Sequence, residues 1–212
     1  MKTCVIFCAG EFDRLAEPIE AGDFVIAADG GFLHTQKLGI RADVVLGDFD
    51  SLGFVPQGGQ KFPVEKDDTD AMLALRRGLE EGCDRFVIYG ALDGPRLDHT
   101  LAKIQALLFL AERGATGVLV GCKQIVTVVK GGGLGFPAEA QGILSVFCVG
   151  RPATGVTIRG LKYGLEGGTL TADFPLGVSN SFTGKPAQIR VEEGCLIVVY
   201  DADGGIIHRE EL

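Results

Sequence analysis

RFVIYGALDGPRLDHTLAKIQALLFLAERGATGVLV, residues 85–120, holds the fold in miniature. Arg85 to Tyr89 is a run of strand length, apolar from Phe86 on, closed by Gly90. A Gly-rich loop follows. From about Asp98 to Arg113 the pattern turns helical, with Leu101, Ile104, Leu108 and Ala111 on one stripe and Gly114 as the stop. Gly117 to Val120 is apolar again. Strand, crossover helix and strand in this order predict a parallel pair, whose strands are covered on both faces and so read as unbroken apolar runs.

Working outward, Thr3 to Cys8, Phe24 to Ala28 and Asp43 to Leu46 are further strand candidates of the same kind. A second helix is predicted from Thr69 to Glu81. Asp67, Asp68 and Thr69 supply capping oxygens at its start, and Gly82 ends it. Beyond about residue 122 the period changes from helical to alternating, the turns become dense in Gly, and no long helix pattern survives. Ile189 to Val191 and Leu196 to Tyr200 flank Glu193-Gly194 and predict a hairpin; Gly167-Gly168 marks another, and Gly131-Gly132-Gly133 reads as a flexible turn. The fold class is therefore α/β: a parallel α/β domain over residues 1–122, then an antiparallel sandwich or barrel over residues 123–212.

Composition bounds the function. Hydrophobic residues make up 46% of the 212 and charged residues 23%, so a packed globular core is expected rather than disorder. A formal charge of −8 argues against a nucleic-acid partner, which needs a concentrated basic face. No apolar stretch approaches the ~20 residues that cross a bilayer, and the N-terminal MKTCVIFCAGEF lacks a signal-peptide pattern. The six cysteines form no CxxC pair or compact framework, which suits reduced thiols and a cytoplasmic location.

In an open parallel sheet, ligands bind beyond the carboxyl ends of the strands. Here those positions are acidic: Asp29 in Ala28-Asp29-Gly30-Gly31, then Gly47-Asp48-Phe49-Asp50-Ser51. After a short segment near Phe62 to Val64 comes Lys66-Asp67-Asp68-Thr69-Asp70, and after Tyr89 the loop reaching Arg96, Asp98 and His99. Crowded carboxylates repel one another unless a cation neutralises them. Mg²⁺ takes carboxylates together with phosphate oxygens, so Asp48, Asp50 and Asp70 are the expected metal ligands. Arg96 suits phosphate recognition, whereas His99 reads as a helix-start or packing residue. A Walker loop and a GxGxxG fingerprint after a strand are both missing.

Five motifs in order, Asp29-Gly30-Gly31, Gly47-Asp48-Phe49-Asp50-Ser51, Lys66-Asp67-Asp68-Thr69-Asp70, Arg96-Leu97-Asp98-His99 and Gly177-Val178-Ser179-Asn180, span nearly the whole chain. Through them the sequence resembles the bacterial type of thiamine pyrophosphokinase. The resemblance implies a Rossmann-like α/β domain followed by a β-sandwich, and a homodimer with active sites at the subunit interface. It also implies transfer of the terminal diphosphate of ATP to the hydroxyl of thiamine, with release of AMP. In residues, it implies catalytic roles for Asp48, Asp50, Asp70 and Asp98, with metal binding by the first three. It implies nucleotide or phosphate contacts at Asp29, Thr69, Arg96 and Asp98, and thiamine contacts at Ser179 and Asn180. One departure is Gly94-Pro95-Arg96, where the family has Gly-Gly-Arg; proline removes a backbone donor from that loop. Two other readings of the acidic rim are a phosphatase using Asp48 and Asp50 as nucleophile and acid, and a nucleotide- or metal-binding module without catalysis. Leu52 stands where the phosphatase pattern has Thr or Val.

Overall fold

The structure is a computed structural model that describes residues 1–63, 68–204, 206 and 209–210; Val64, Lys66 and Asp67 of the expected motifs lie outside the described residues. The protein is of mixed α/β type, and the chain divides into two compact units, Met1–Cys122 and Lys123–Leu212.

In the first unit the strands are β1 (Thr3–Phe7), β2 (Phe24–Ala28), β3 (Val44–Gly47), β4 (Gln60–Lys61), β5 (Arg85–Tyr89) and β6 (Thr116–Val120). They lie in the order β4-β3-β2-β1-β5-β6, and every pairing is parallel. The apolar runs that predicted these strands are the core itself: Cys4 to Phe7, Val25 to Ala28 and Phe86 to Tyr89 are all buried. Helices α1 (Gly31–Leu38), α2 (Asp70–Glu80) and α3 (Leu97–Ala111) connect them. Thr69 caps α2 as expected, its Oγ1 accepting from the Met72 N–H at 3.2 Å.

Helix α1 was not predicted. Its N-cap, Gly30, has no side chain to signal a start, and Leu33 and Leu38 are exposed, so the eight residues carry no apolar stripe. The stripe expected on α3 is also displaced. Ala106, Leu107 and Leu110 are the buried residues, while Leu101 is 54% exposed, because a helix apolar on most sides leaves its period ambiguous.

The second unit contains β7 (Gln124–Phe136), β8 (Ile143–Cys148), β9 (Ala153–Arg159), β10 (Leu165–Leu170), β11 (Gly177–Ser181), β12 (Ala187–Asp201) and β13 (Arg209–Glu210). All pairings are antiparallel. The expected hairpin at Glu193-Gly194 does not exist. Both of its arms belong to β12, which pairs with β7 along its length. Between Val191↔Gly132 and Cys195↔Lys130, three residues of β12 face Gly131 alone, and this bulge bends both strands. Beyond it β12 exchanges its other partner, from β9 to β8. Gly131 and Gly132 supply the positive φ (52° and 120°) that the bend requires, so the triple glycine is strand rather than turn. Gly167-Gly168 is likewise inside β10, with register irregularity instead of a hairpin turn.

The motif Asp29-Gly30-Gly31 has a packing reason. Gly31 opens α1 directly against the end of β1, and a Cβ there would run into the Phe7 carbonyl. Gly31→Ala is expected to lose about 3 kcal/mol or more of stability, since neither backbone can give way cheaply. Urea unfolding checks this; an unchanged midpoint would mean that α1 can lift off β1 at no cost.

Candidate active site

Register brings the acidic loops together. Phe7 pairs with Ala27 and Ala28 with Leu46, so β1, β2 and β3 end at nearly one level and Cys8, Asp29 and Asp48 follow side by side. Asp29 takes a left-handed conformation (φ 48°), which aspartate tolerates, and its N–H donates to Leu46 O at 2.8 Å. Phe49 is also left-handed (φ 60°) and its side chain is buried, an uncommon combination for a bulky residue. The tight turn it makes is held by the Asp50 N–H donating to Asp48 Oδ1 at 3.1 Å. As a result one carboxylate oxygen from each of Asp29, Asp48 and Asp50 lies within 4.8 Å of the others.

This trio differs from the expected one by including Asp29. Ser51 Oγ donates to Asp29 Oδ2 at 2.7 Å, but the buried Oδ1 has no hydrogen-bond partner among the described residues. A buried carboxylate oxygen left unsatisfied is costly, and a hard cation is the natural complement to it. Asp70 stands on the first turn of α2 and lines one cavity of about 350 Å³ with Asp29, Asp48, Asp68 and Thr69. Cys8, His99, Ala102 and Lys103 are also in its lining. Asp68 is paired with Arg76 at 3.0 Å.

Arg96 and Asp98 are not among the residues that line the cavity. They form an exposed two-point ion pair, Nε to Oδ1 at 3.2 Å and Nη2 to Oδ2 at 2.6 Å. The Arg96 hydrogen bond, with help from the His99 N–H, holds the Asp98 carboxyl below its usual range. A carboxylate so stabilised is a poor proton acceptor, so Asp98 is better suited to orienting Arg96 than to general-base work. Next to it, His99 does line the cavity. The sequence also left Lys103 and Cys8 unassigned. His99, Ala102 and Lys103 are spaced i, i+3, i+4 on α3, a signal that was available once the loop before α3 was read as a ligand-binding loop.

In the second unit Ser179 is exposed and left-handed (φ 60°), while Asn180 is buried. The Asn180 amide is committed to the backbone: Oδ1 accepts from the N–H groups of Tyr163 (3.0 Å) and Ser181 (2.9 Å), and Nδ2 donates to Tyr163 O (2.7 Å). It therefore fixes the turn that presents the exposed Tyr163.

Residues 15–118 match the model of the thiamin pyrophosphokinase catalytic domain, and residues 136–196 that of the thiamin pyrophosphokinase vitamin B1 binding domain. The chain belongs to the thiamin pyrophosphokinase family. It is a transferase, a thiamine diphosphokinase. Among solved structures it is similar to thiamine pyrophosphokinase from Bacillus subtilis, with a TM-score of 0.84 and 23% identity over 96% of this chain and 100% of that one. A thiamin pyrophosphokinase family protein from Enterococcus faecalis gives 0.74 and 26% over 94% and 98%. Thiamin pyrophosphokinase from Candida albicans gives 0.71 and 15% over 95% and 89%, a likeness of fold. No curated protein matches the chain by sequence.

Cys8 invites a reading as a nucleophile, and its chemistry rules against it. Burial pushes the thiol up to about 11; Lys103 works in the opposite direction, and Asp70 and Asp29 add to the rise. At pH 8 about one thiol in a thousand is then ionised. Cys8 is expected to stay unmodified by iodoacetamide in the native protein at pH 8, read by peptide mass spectrometry, while glutathione in the same tube is consumed. Rapid labelling of Cys8 would contradict the buried, neutral thiol.

Proposed function

We propose that transfer of the terminal diphosphate of ATP to the hydroxyl of thiamine, with release of AMP, takes place at the carboxylate rim of the first unit. The observation that carries this reading is the trio Asp29, Asp48 and Asp50, with the unsatisfied Asp29 Oδ1, beside a cavity that Asp70 and the start of α2 also line. The donor set fits Mg²⁺, which Asp48 and Asp50 would hold together with Asp29, and with Asp70 from the cavity lining. When bound, the ion would offset the phosphate charge that repels an incoming hydroxyl.

The chain's own groups bind and orient. The N-terminal turn of α2, capped by Thr69, presents backbone N–H groups and the positive end of a helix dipole to phosphate oxygens. Arg96, aligned by Asp98, supplies a planar fork for a further phosphate. The thiamine oxygen forms a bond to the β-phosphorus; the bond from that phosphorus to the oxygen bridging the α-phosphorus breaks, its electron pair leaves on AMP, and the hydroxyl proton is released. Ser179 contacts thiamine, with Asn180 acting through the Tyr163 turn it secures. The units are read as a Rossmann-like domain, on the strand order β4-β3-β2-β1-β5-β6, and a β-sandwich, on the change of partner along β12. A cytoplasmic setting agrees with six free cysteines, and no described helix is long and apolar enough to cross a membrane.

Incubation with ATP, Mg²⁺ and thiamine is expected to yield AMP and thiamine diphosphate in equal amounts. Asp48→Asn or Asp50→Asn should lower that rate by at least ~100-fold with little change in stability, because phosphoryl transfer depends on positioning and charge neutralisation. Phosphate as the sole product would favour the aspartyl phosphatase, and near-normal rates in both variants would remove these carboxylates from the metal site. The enzyme is further expected to act as a homodimer with active sites at the subunit interface, a C2 pair having two equivalent sites. Sedimentation should then give one species of about twice the 22.4 kDa chain mass, and a monomer at working concentration would end that reading.

A further inference from the structure

Lys103 has no role in the reading so far, yet it stands in the cavity. Among the described residues that line it, Lys103 is the only lysine or arginine, against the carboxylates of Asp29, Asp48, Asp68 and Asp70. Helix α3 sets it one turn beyond His99, so ammonium and imidazole share a face. Lys103 shares the cavity lining with Cys8, Asp29 and Asp70, close to where the acidic loops converge beyond β1. Lys103 is half-buried, and its side chain carries a compact ammonium on a flexible four-carbon stem.

Asp68 is offset by Arg76, but the carboxylates of Asp29, Asp48 and Asp70 also line the cavity, and one divalent cation does not cancel their combined repulsion of an incoming anion. A cation fixed in the lining itself can close that gap. We propose that Lys103 is a phosphate-binding residue of this site, its ammonium donating to an oxygen of the donor nucleotide's phosphate chain inside the cavity. The proposal rests on the placement of ATP at the carboxylate rim. It differs from a purely structural role, in which Lys103 would only offset the neighbouring carboxylates in the empty protein. Neutralisation separates the two roles through the nucleotide: loss of a phosphate ligand weakens ATP binding, whereas loss of a mere counter-charge leaves ATP affinity largely unchanged and shows only as tighter binding of a bare cation.

The full-length protein, Lys103→Met and Lys103→Arg separate these. Three quantities are measured: steady-state AMP formation with thiamine, calorimetric binding of ATP with Mg²⁺ in the absence of thiamine, and binding of Mn²⁺ alone. In Lys103→Met, the ATP KM and dissociation constant are expected to rise roughly 10- to 100-fold, the range of a charge-assisted hydrogen bond. The thiamine KM should stay within about twofold, and Lys103→Arg should recover most of the ATP affinity by keeping the charge. Unchanged ATP affinity in Lys103→Met overturns the proposal, and tighter Mn²⁺ binding alongside it would assign the counter-charge role instead. If Lys103→Met does not fold, Lys103→Gln carries the same comparison. A wild-type protein that binds ATP but forms no AMP with thiamine would sink the transfer reading, while the binding measurement would still decide the part played by Lys103.

Discussion

Electrostatic repulsion among carboxylates held at one edge of a parallel sheet is the constraint around which the first unit is organised. Parallel pairing ends β1, β2 and β3 at nearly the same level, and the residues that follow β2 and β3 include Asp29, Asp48 and Asp50. Three carboxylate oxygens within 4.8 Å of one another are unfavourable in water and worse when partly buried. The backbone nonetheless holds them there. Left-handed Asp29 and Phe49, the Asp48–Asp50 turn and the Ser51 hydroxyl together leave little freedom to move apart. Such pre-set geometry lets a site bind a hard cation without first reorganising, and the strain is carried by the buried β-strands beneath.

The core beneath the rim sets how precisely those loops are placed. Cys4 to Phe7 and Phe86 to Tyr89 are essentially inaccessible, and Phe7 and Tyr89 stack with ring centroids 5.3 Å apart. Gly31 lets α1 start flush against β1, which ties the loop bearing Asp29 to the central strand. Arg85, bonded twice to Glu17 at 2.6 Å, and the Tyr89 hydroxyl, accepting from the Ala16 N–H at 3.1 Å, hold the segment after β1 in the same way. A half-buried, two-point pair of this kind adds geometric definition more than net stability.

In the second unit a different device does the positioning. β7 and β12 bend together at the bulge opposite Gly131, which lets one long strand serve two sets of neighbours. β11, carrying Ser179, pairs with β8 on one side of that bend. The buried Asn180 amide then binds both backbone groups of Tyr163 and secures the turn before β10. Three hydrogen bonds to a single buried amide explain why asparagine serves here: aspartate would lack the donor to Tyr163 O.

The sequence by itself determined strands β1, β2, β3, β5 and β6 of the first unit, though not the two-residue β4, together with helices α2 and α3, the absence of long helices after residue 122, and the presence of an acidic rim. Each of these is a local signal: an apolar run, a cap, a stop, a loop that follows a strand. It also determined the family, through five motifs in order. Tertiary structure alone decided which aspartates meet, because Asp29 and Asp48 are brought together by register between β2 and β3 and not by spacing along the chain. Helix α1 was hidden because an uncapped, eight-residue helix with exposed leucines is formed by packing on β1 and β2 rather than by propensity. The bulge in β12 was read as a hairpin because Glu193-Gly194 carries the same residue types in either structure. Only pairing with β7 across the bulge distinguishes them, and pairing is a property of two segments some 60 residues apart in the chain.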